Sequence, residues 1–280
     1  RSGRVTGVQT CALPISQESS SNSSDGMQRD YWYSAARDPE ALANAEDVGR
    51  IAAERTVNRL GSRKGKTQRS PIIFAAPIAG TLIRHLLSAV SGGALYRKAS
   101  FLLDSLGEQL FPDFINISEK PHLHRGVASA SFDSDGVATV EKDIISGGVL
   151  SSYLLNSYAA RRLNMESSGN GGGARNVRVN SSKSADSKLS LKDMLQDMDR
   201  GFLVTELMGQ GVNGITGDYS RGAAGFWVDG GEIVYPIDEL TIAGNLKDMF
   251  KQIVSVGTDV DCRGNIQSGS ILLESMSLAS

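Results

Sequence analysis

From Ile78 the apolar residues Leu82, Leu86 and Val90 recur at every fourth position, with Ile83 and Leu87 one step round. That period predicts an amphipathic helix with a broad buried face, ended by Gly92 and Gly93. Before it, PIIFA at Pro71–Ala75 reads as a short buried strand. Asp38 followed by Pro39 is an N-cap and first-turn signature, and Leu42, Ala45, Val48, Ile51 and Ala52 carry a helix from about Pro39 to Leu60. The aromatics Tyr31, Trp32 and Tyr33 suit a strand over Met27–Ser34.

In the second half, FDSDG at Phe132–Gly136 predicts a turn, and Val137–Ile145 with Gly148–Leu155 a hairpin around Ser146-Gly147. Met165–Ser190 is rich in Gly, Ser and Asn and reads as a mobile loop. Leu191–Met198 predicts a short helix. Gly201–Val212, Gly225–Val228 and Glu232–Pro236 read as strands, the last two joined by a turn at Asp229-Gly230-Gly231. Leu246–Val256 reads as a helix and Gly269–Leu273 as a final strand. The pattern is that of an α+β protein: a mixed, mainly antiparallel sheet with a few helices.

At 280 residues, 40% of them hydrophobic, the chain can fill a real core. A net charge of -2 argues against nucleic acid, and no stretch approaches the roughly 18 apolar residues of a membrane span. Two cysteines, Cys11 and Cys262, make no disulfide framework and fit a reducing cytoplasm. The opening RSGRVTGVQTCALPI has no periodicity, and back-translation of Val5–Ile15 resembles a common sequencing-adapter oligonucleotide read in frame. Residues 1–16 are therefore expected to be non-native and to stand outside the fold. A lipoprotein signal at Cys11 is the weaker alternative, because no apolar segment precedes it.

Four strings resemble the PmbA/TldE branch of the TldD/PmbA metalloprotease family: GMQRDYWYS from Gly26, VSGGALYRKASFLLDSLG from Val90, VTELMGQGVNGITGDYSRGAAGFWV from Val204 and PIDELTIAGNLKDM from Pro236. The resemblance runs from about Asp25 to the C-terminus. It implies a remnant of that family's N-terminal α/β domain over 17–70 and its C-terminal domain over 71–280. In the TldD branch, the helix equivalent to Thr81–Val90 carries an HExxxH motif, whose two imidazoles hold zinc while the glutamate serves as base. Aligned on Gly80 and Gly93, this chain has Arg84, His85 and Ala89 at those three positions. Arg84 cannot ligate zinc and Ala89 has no donor atom. The TldD branch adds a cysteine near the C-terminus; Asn265–Gly269 has none, and Ser268 is the nominated equivalent.

The resemblance thus implies a subunit without a catalytic or metal site of its own, and without a cofactor in this chain. It would pair with a zinc-bearing TldD-type subunit in proteolysis and maturation of unfolded peptides. Asp218, Tyr219, Ser220 and Arg221 are candidates for a substrate groove or subunit seam, against the plainer reading of a tight turn between strands. Two alternatives stay open: an active metallopeptidase using His85, His122 or His124 and Cys262, and a peptide-binding assembly module unconnected with proteolysis. As single residues, His85 reads as structural, the His122–His124 pair as a solvated loop and Cys262 as a buried or half-buried thiol. Asp133 and Asp135 lack the distal Glu of a calcium loop, and GNGGG at Gly169 lacks the Lys of a P-loop and reads as flexible.

Overall fold

The computed structural model describes residues 7–15, 28–183 and 189–280. β1 (Gly7–Ile15) pairs antiparallel along its whole length with β2 (Gln28–Ala36). For residues 7–15 this corrects the expectation that the segment stands apart from the fold; residues 1–6 and 16 lie outside the described residues. An extended backbone can satisfy the free edge of a neighbouring strand whatever its side chains, because the ladder is made by main-chain groups.

The single helix expected over Pro39–Leu60 is instead a 3-10 turn, Pro39–Ala41, followed by α1 (Ala45–Val57). The break lies where Ala43 N–H donates to Ser34 Oγ at 2.9 Å, after which Asn44 recaps the chain by accepting from Glu46 N–H at 3.0 Å. β3 (Arg63–Lys64) and β4 (Gln68–Phe74) lead into α2 (Ala76–Ala89). Ala79, Leu82, Ile83, Leu86 and Leu87 of α2 are buried, as its period predicts. The helix start lacks a local side-chain cap, and Ala76 N–H donates instead to Ser270 Oγ at 3.0 Å.

Gly92 and Gly93 open a further short helix, α3 (Gly92–Tyr96), capped by Ser91. A Cβ on Gly92 would sit 2.5 Å from Ala159 Cβ, so glycine lets α3 approach α4 (Ser157–Leu163). Between these helices lie β5 (Ile115–Glu119), β6 (Lys142–Ser146) and β7 (Val149–Leu150), the last two forming the expected hairpin in shorter form. The loop expected over Met165–Ser190 contains β8 (Val177–Ser181), whose Val177 and Val179 point into the core; residues 184–188 lie outside the described residues.

The rest is α5 (Leu191–Met198), β9 (Gly201–Met208), β10 (Asp218–Asp229), β11 (Glu232–Asn245), α6 (Leu246–Lys251), β12 (Ile253–Val256), β13 (Ile266–Gln267) and β14 (Ile271–Ala279). Leu246–Val256 is therefore half helix and half strand. Asp218–Gly225, read alternatively as a turn, is the first part of β10.

One sheet runs β12-β14-β4-β9-β10-β11-β3, and β14 also pairs with β11 through Thr241–Ala243 and Ser277–Ala279, so five of its strands close into a ring. A second sheet runs β13-β8-β5-β6-β7. Most pairings are antiparallel; β4–β9, β11–β3 and β13–β8 are parallel. The fold is the α+β arrangement expected.

Both faces of β4 and β9 are covered. Ile72, Phe74, Phe202 and Val204 join Leu82, Ile83 and Leu86 of α2, while Ile73 and Leu203 pack with Met194, Leu195 and Met198 of α5. Double burial explains why PIIFA is a continuous apolar run rather than an alternating one. A bulge in β10 falls between Ala224 and Gly225, where a Cβ on Gly225 would lie 1.9 Å from Leu203 O. Among the described residues no helix is long and apolar enough to cross a membrane.

Candidate functional site

Side chains of α2 and β10 meet, and this brings together residues nominated on separate grounds. On α2, Arg84 is exposed, His85 is half-buried and Ala89 is buried. On β10, the strand period sends Tyr219 and Arg221 to one face and Asp218 and Ser220 to the other. The His85 ring meets Tyr219 edge-on, with centroids 5.9 Å apart at 81°.

The electrostatics of this seam are positive. Burial lowers the His85 pKa first, and the Arg221 and Arg84 charges lower it further, so the imidazole is held neutral. Its Nε2 is buried and has no hydrogen-bond partner, and neither has Nε of Arg221. Burial pushes the Tyr219 phenol up to about 12, keeping it protonated. Asp218 does different work on the outer face. Its carboxylate accepts from Thr216 Oγ1 at 2.6 Å and Asn245 Nδ2 at 3.2 Å, bonds that hold its pKa low and pin the start of β10 to the end of β11. Ser220 is exposed and its N–H donates to Gly211 O at 2.6 Å.

The nominated zinc-motif positions divide between two concavities. Arg84 faces one that Asn265 and Ile266 also line; His85 and Ala89 face another, closed by Phe101 and Val212. The stretch Asn265–Gly269 therefore does lie beside α2, but Ser268, 1% exposed, is turned inward and Asn265 is the residue that shares Arg84's concavity.

His122 and His124 are exposed on a turn, and His122 Nε2 lies 3.2 Å from Thr139 Oγ1. Cys262 is exposed rather than buried. It sits on an irregular turn between β12 and β13, where Asp261 and Arg263 are committed to each other. Among the described residues no group of three or more His, Cys, Asp and Glu is placed to hold a metal ion.

GNGGG is an ordered, partly buried segment rather than a flexible one. Gly171 N–H donates to Asp133 Oδ2 at 2.7 Å, and Asn170 Nδ2 donates to both Glu119 oxygens at 2.9 and 3.0 Å. Asp133 also accepts from the amides of Asp135 and Val137 and closes the predicted FDSDG turn.

Residue-by-residue reading of the sequence did not find the cavity of about 260 Å³ between the N-terminal segment and the ring sheet. Its wall includes Trp32 and Tyr33 of β2, Arg55 of α1, Thr81 of α2, Arg221 of β10, and Arg263. Arg263 stacks on Trp32 at 3.8 Å and Tyr33 at 4.4 Å, and Arg55 lies 5.1 Å from the Trp32 ring. The available signal was the aromatic triplet Tyr31-Trp32-Tyr33, but its arginine partner lies some 230 positions away.

Residues 67–280 match the model of the PmbA/TldA metallopeptidase C-terminal domain. The chain belongs to the PmbA/TldD family. It is 53% identical over 253 residues to Metalloprotease PmbA of Escherichia coli O157:H7, covering 90% of this chain and 55% of that one. A proposed modulator of a DNA gyrase from Thermotoga maritima superposes with a TM-score of 0.87 at 31% identity, covering 98% of this chain and 62% of that one. TldE from Thermococcus kodakarensis shares the fold, with a TM-score of 0.81 at 24% identity over 98% of this chain and 63% of that one. This PmbA/TldD-family chain spans about half the length of the curated relatives it matches.

Proposed function

We propose that the chain is the zinc-free, PmbA/TldE-type half of a two-subunit protease. In this reading it pairs in the cytoplasm with a TldD-type subunit, borders the substrate path and helps present unfolded peptides to the partner's zinc. The observation that carries it is the chemistry of α2, the helix that bears the zinc motif in the other branch.

Arg84 is a permanent cation that a metal ion would repel, Ala89 offers no donor, and His85 would be a lone imidazole between two arginine charges. The residues present do not fit a zinc centre. The seam between α2 and β10 supports the peptide-handling part of the reading. Tyr219 and Arg221 lie on its inner face, and Asp218 and Ser220 present polar groups on the outer face.

The test has two arms. Elemental analysis of the purified chain is expected to find no stoichiometric zinc, and the chain alone to cleave no peptide. Co-expression with a TldD-type chain is expected to give a complex that survives purification and cleaves. About one tightly held zinc per isolated chain, or failure of the two chains to associate, would overturn the proposal.

A further inference from the structure

The cavity between the N-terminal segment and the ring sheet is lined by three arginines, Arg55, Arg221 and Arg263, and two carboxylates, Asp30 and Glu206, and the arginine charges are not equally answered. Arg55 pairs with Asp30 at 3.1 Å, and Arg263 is gripped by both oxygens of Asp261, Oδ1 at 2.9 Å and Oδ2 at 2.6 Å. Arg59, just behind the wall, pairs with Glu206. Arg221 alone among the lining arginines has no carboxylate within ion-pair distance among the described residues, and its Nε–H is buried without an acceptor. Arg55 Nε is likewise buried and unanswered.

We propose that this cavity is a carboxylate-binding site, with Arg221 as its anchor and the Thr81 and Trp32–Tyr33 walls flanking the group that carries the carboxylate. Buried donors without partners are costly, and a ligand oxygen is the natural way to satisfy them. A guanidinium presents a planar fork that matches a carboxylate. One uncompensated cation suits a monoanion, whereas phosphate recognition uses clusters of arginines. About 260 Å³ is small for a whole ligand but adequate for a carboxylate and one side chain. The neutral His85 beside Arg221 adds no competing positive charge, and the Tyr219 hydroxyl that accepts a hydrogen bond from Arg221 is protonated and brings no anion to the fork.

The carboxylate could be a free C-terminus or an acidic side chain. That it belongs to a peptide rests on the function proposed above. Calorimetric titration of the whole chain distinguishes these sources with four probes: the free acid Ala-Ala-Ala-Ala-Leu, its C-terminal amide, the amide of Ala-Ala-Ala-Glu-Leu, and N-acetyl-leucine. The expected result is binding of the free acid, weakened at least about 10-fold by Arg221→Gln, with no binding of the plain amide. Binding of the glutamate-containing amide in place of the free acid assigns the site to a side-chain carboxylate. Binding of N-acetyl-leucine alone, still dependent on Arg221, upholds the site and removes the peptide. Thr81→Trp, which fills the cavity without altering charge, should abolish binding and serves if Arg221→Gln fails to fold. The proposal is overturned if no carboxylate probe binds, if the plain amide binds as well as the free acid, or if neither variant weakens binding.

Discussion

Two polar regions of the molecule are built on opposite rules. Around the Asn170–Gly171 loop, each buried carboxylate is saturated. Glu119, 1% exposed, accepts from Asn170 and from Arg175 N–H at 2.5 Å, and pairs with Lys142 at 3.0 Å. Asp133 takes three backbone amides. Along the α2–β10 seam, by contrast, His85 Nε2 and Arg221 Nε are buried with nothing to bond. Arg175 Nε in the first region is also buried without a partner, but the carboxylates that hold its chain segments together are filled; along the seam no carboxylate answers the buried donor, which leaves it available to a group from outside. The first region is thus the structural one, although its glycine-rich sequence reads as a flexible loop, and the second is the receptive one.

The sharpest way to break this contrast is Glu119→Ala. It leaves Lys142, whose side chain is only 13% exposed, without its ion-pair partner and with Ser168 O as acceptor, and leaves Asn170 and Arg175 donors unanswered. A loss of about 3–5 kcal/mol in chemical denaturation is expected, the scale for removing one partner of a buried ion pair. Arg221→Gln, which breaks no protein ion pair, should stay within about 1 kcal/mol of the parent. Equal losses at the two positions would erase the distinction.

Next in size is Asp133→Asn. Burial alone would raise the Asp133 pKa, but the amides of Gly171, Val137 and Asp135 outweigh it and hold the carboxyl below its ordinary value. A depressed folded pKa contributes stability that is fully present above the unfolded value of about 4 and is lost as pH falls through the folded one. Asparagine keeps one acceptor oxygen and loses the charge, so a cost of about 1–3 kcal/mol at pH 7 is expected. The difference from the parent should shrink in denaturation curves taken below about pH 4; a cost independent of pH would remove the charge from the account.

How much of this was legible beforehand follows the range of the interactions. α2 and α5 appear where their periods put them, because a helical stripe and a cap such as Ser190 are local signals. The turn at Gly230-Gly231, both at positive φ, is local too. β8 was hidden because its two inward valines are set in a Gly- and Asn-rich stretch that matches a loop in composition. The break after Lys251 was hidden because its apolar pattern continues unbroken from helix into strand. At the site, Arg84, His85, Tyr219 and Arg221 could each be singled out, but their meeting depends on the packing of α2 against β10. The stacking of Arg263 on Trp32 depends on the chain's return from its far end, which no local window contains.

The smallest expected effect tests the receptive region through His85 itself. His85 is faced by Arg84 on its own helix and by Tyr219 and Arg221 on β10, and burial with the two arginines lowers its pKa. Protonation is therefore harder in the folded state than in the unfolded one. The contribution of His85 to stability is complete above the ordinary histidine value of about 6.5 and declines as pH falls below it. His85→Phe keeps a ring edge-on to Tyr219 while removing the unanswered nitrogen. Replacing an unsatisfied polar group by an apolar one of similar shape is close to neutral, so the variant should stay within about 1 kcal/mol of the parent at pH 7.5. Between about pH 6.5 and 5 the parent should lose stability relative to the variant, with thermal melting across that range as the measurement. A variant that is strongly destabilised at pH 7.5, with no change in pH slope, would mean that Nε2 meets a partner in the folded protein and that this seam is as saturated as the Glu119 centre.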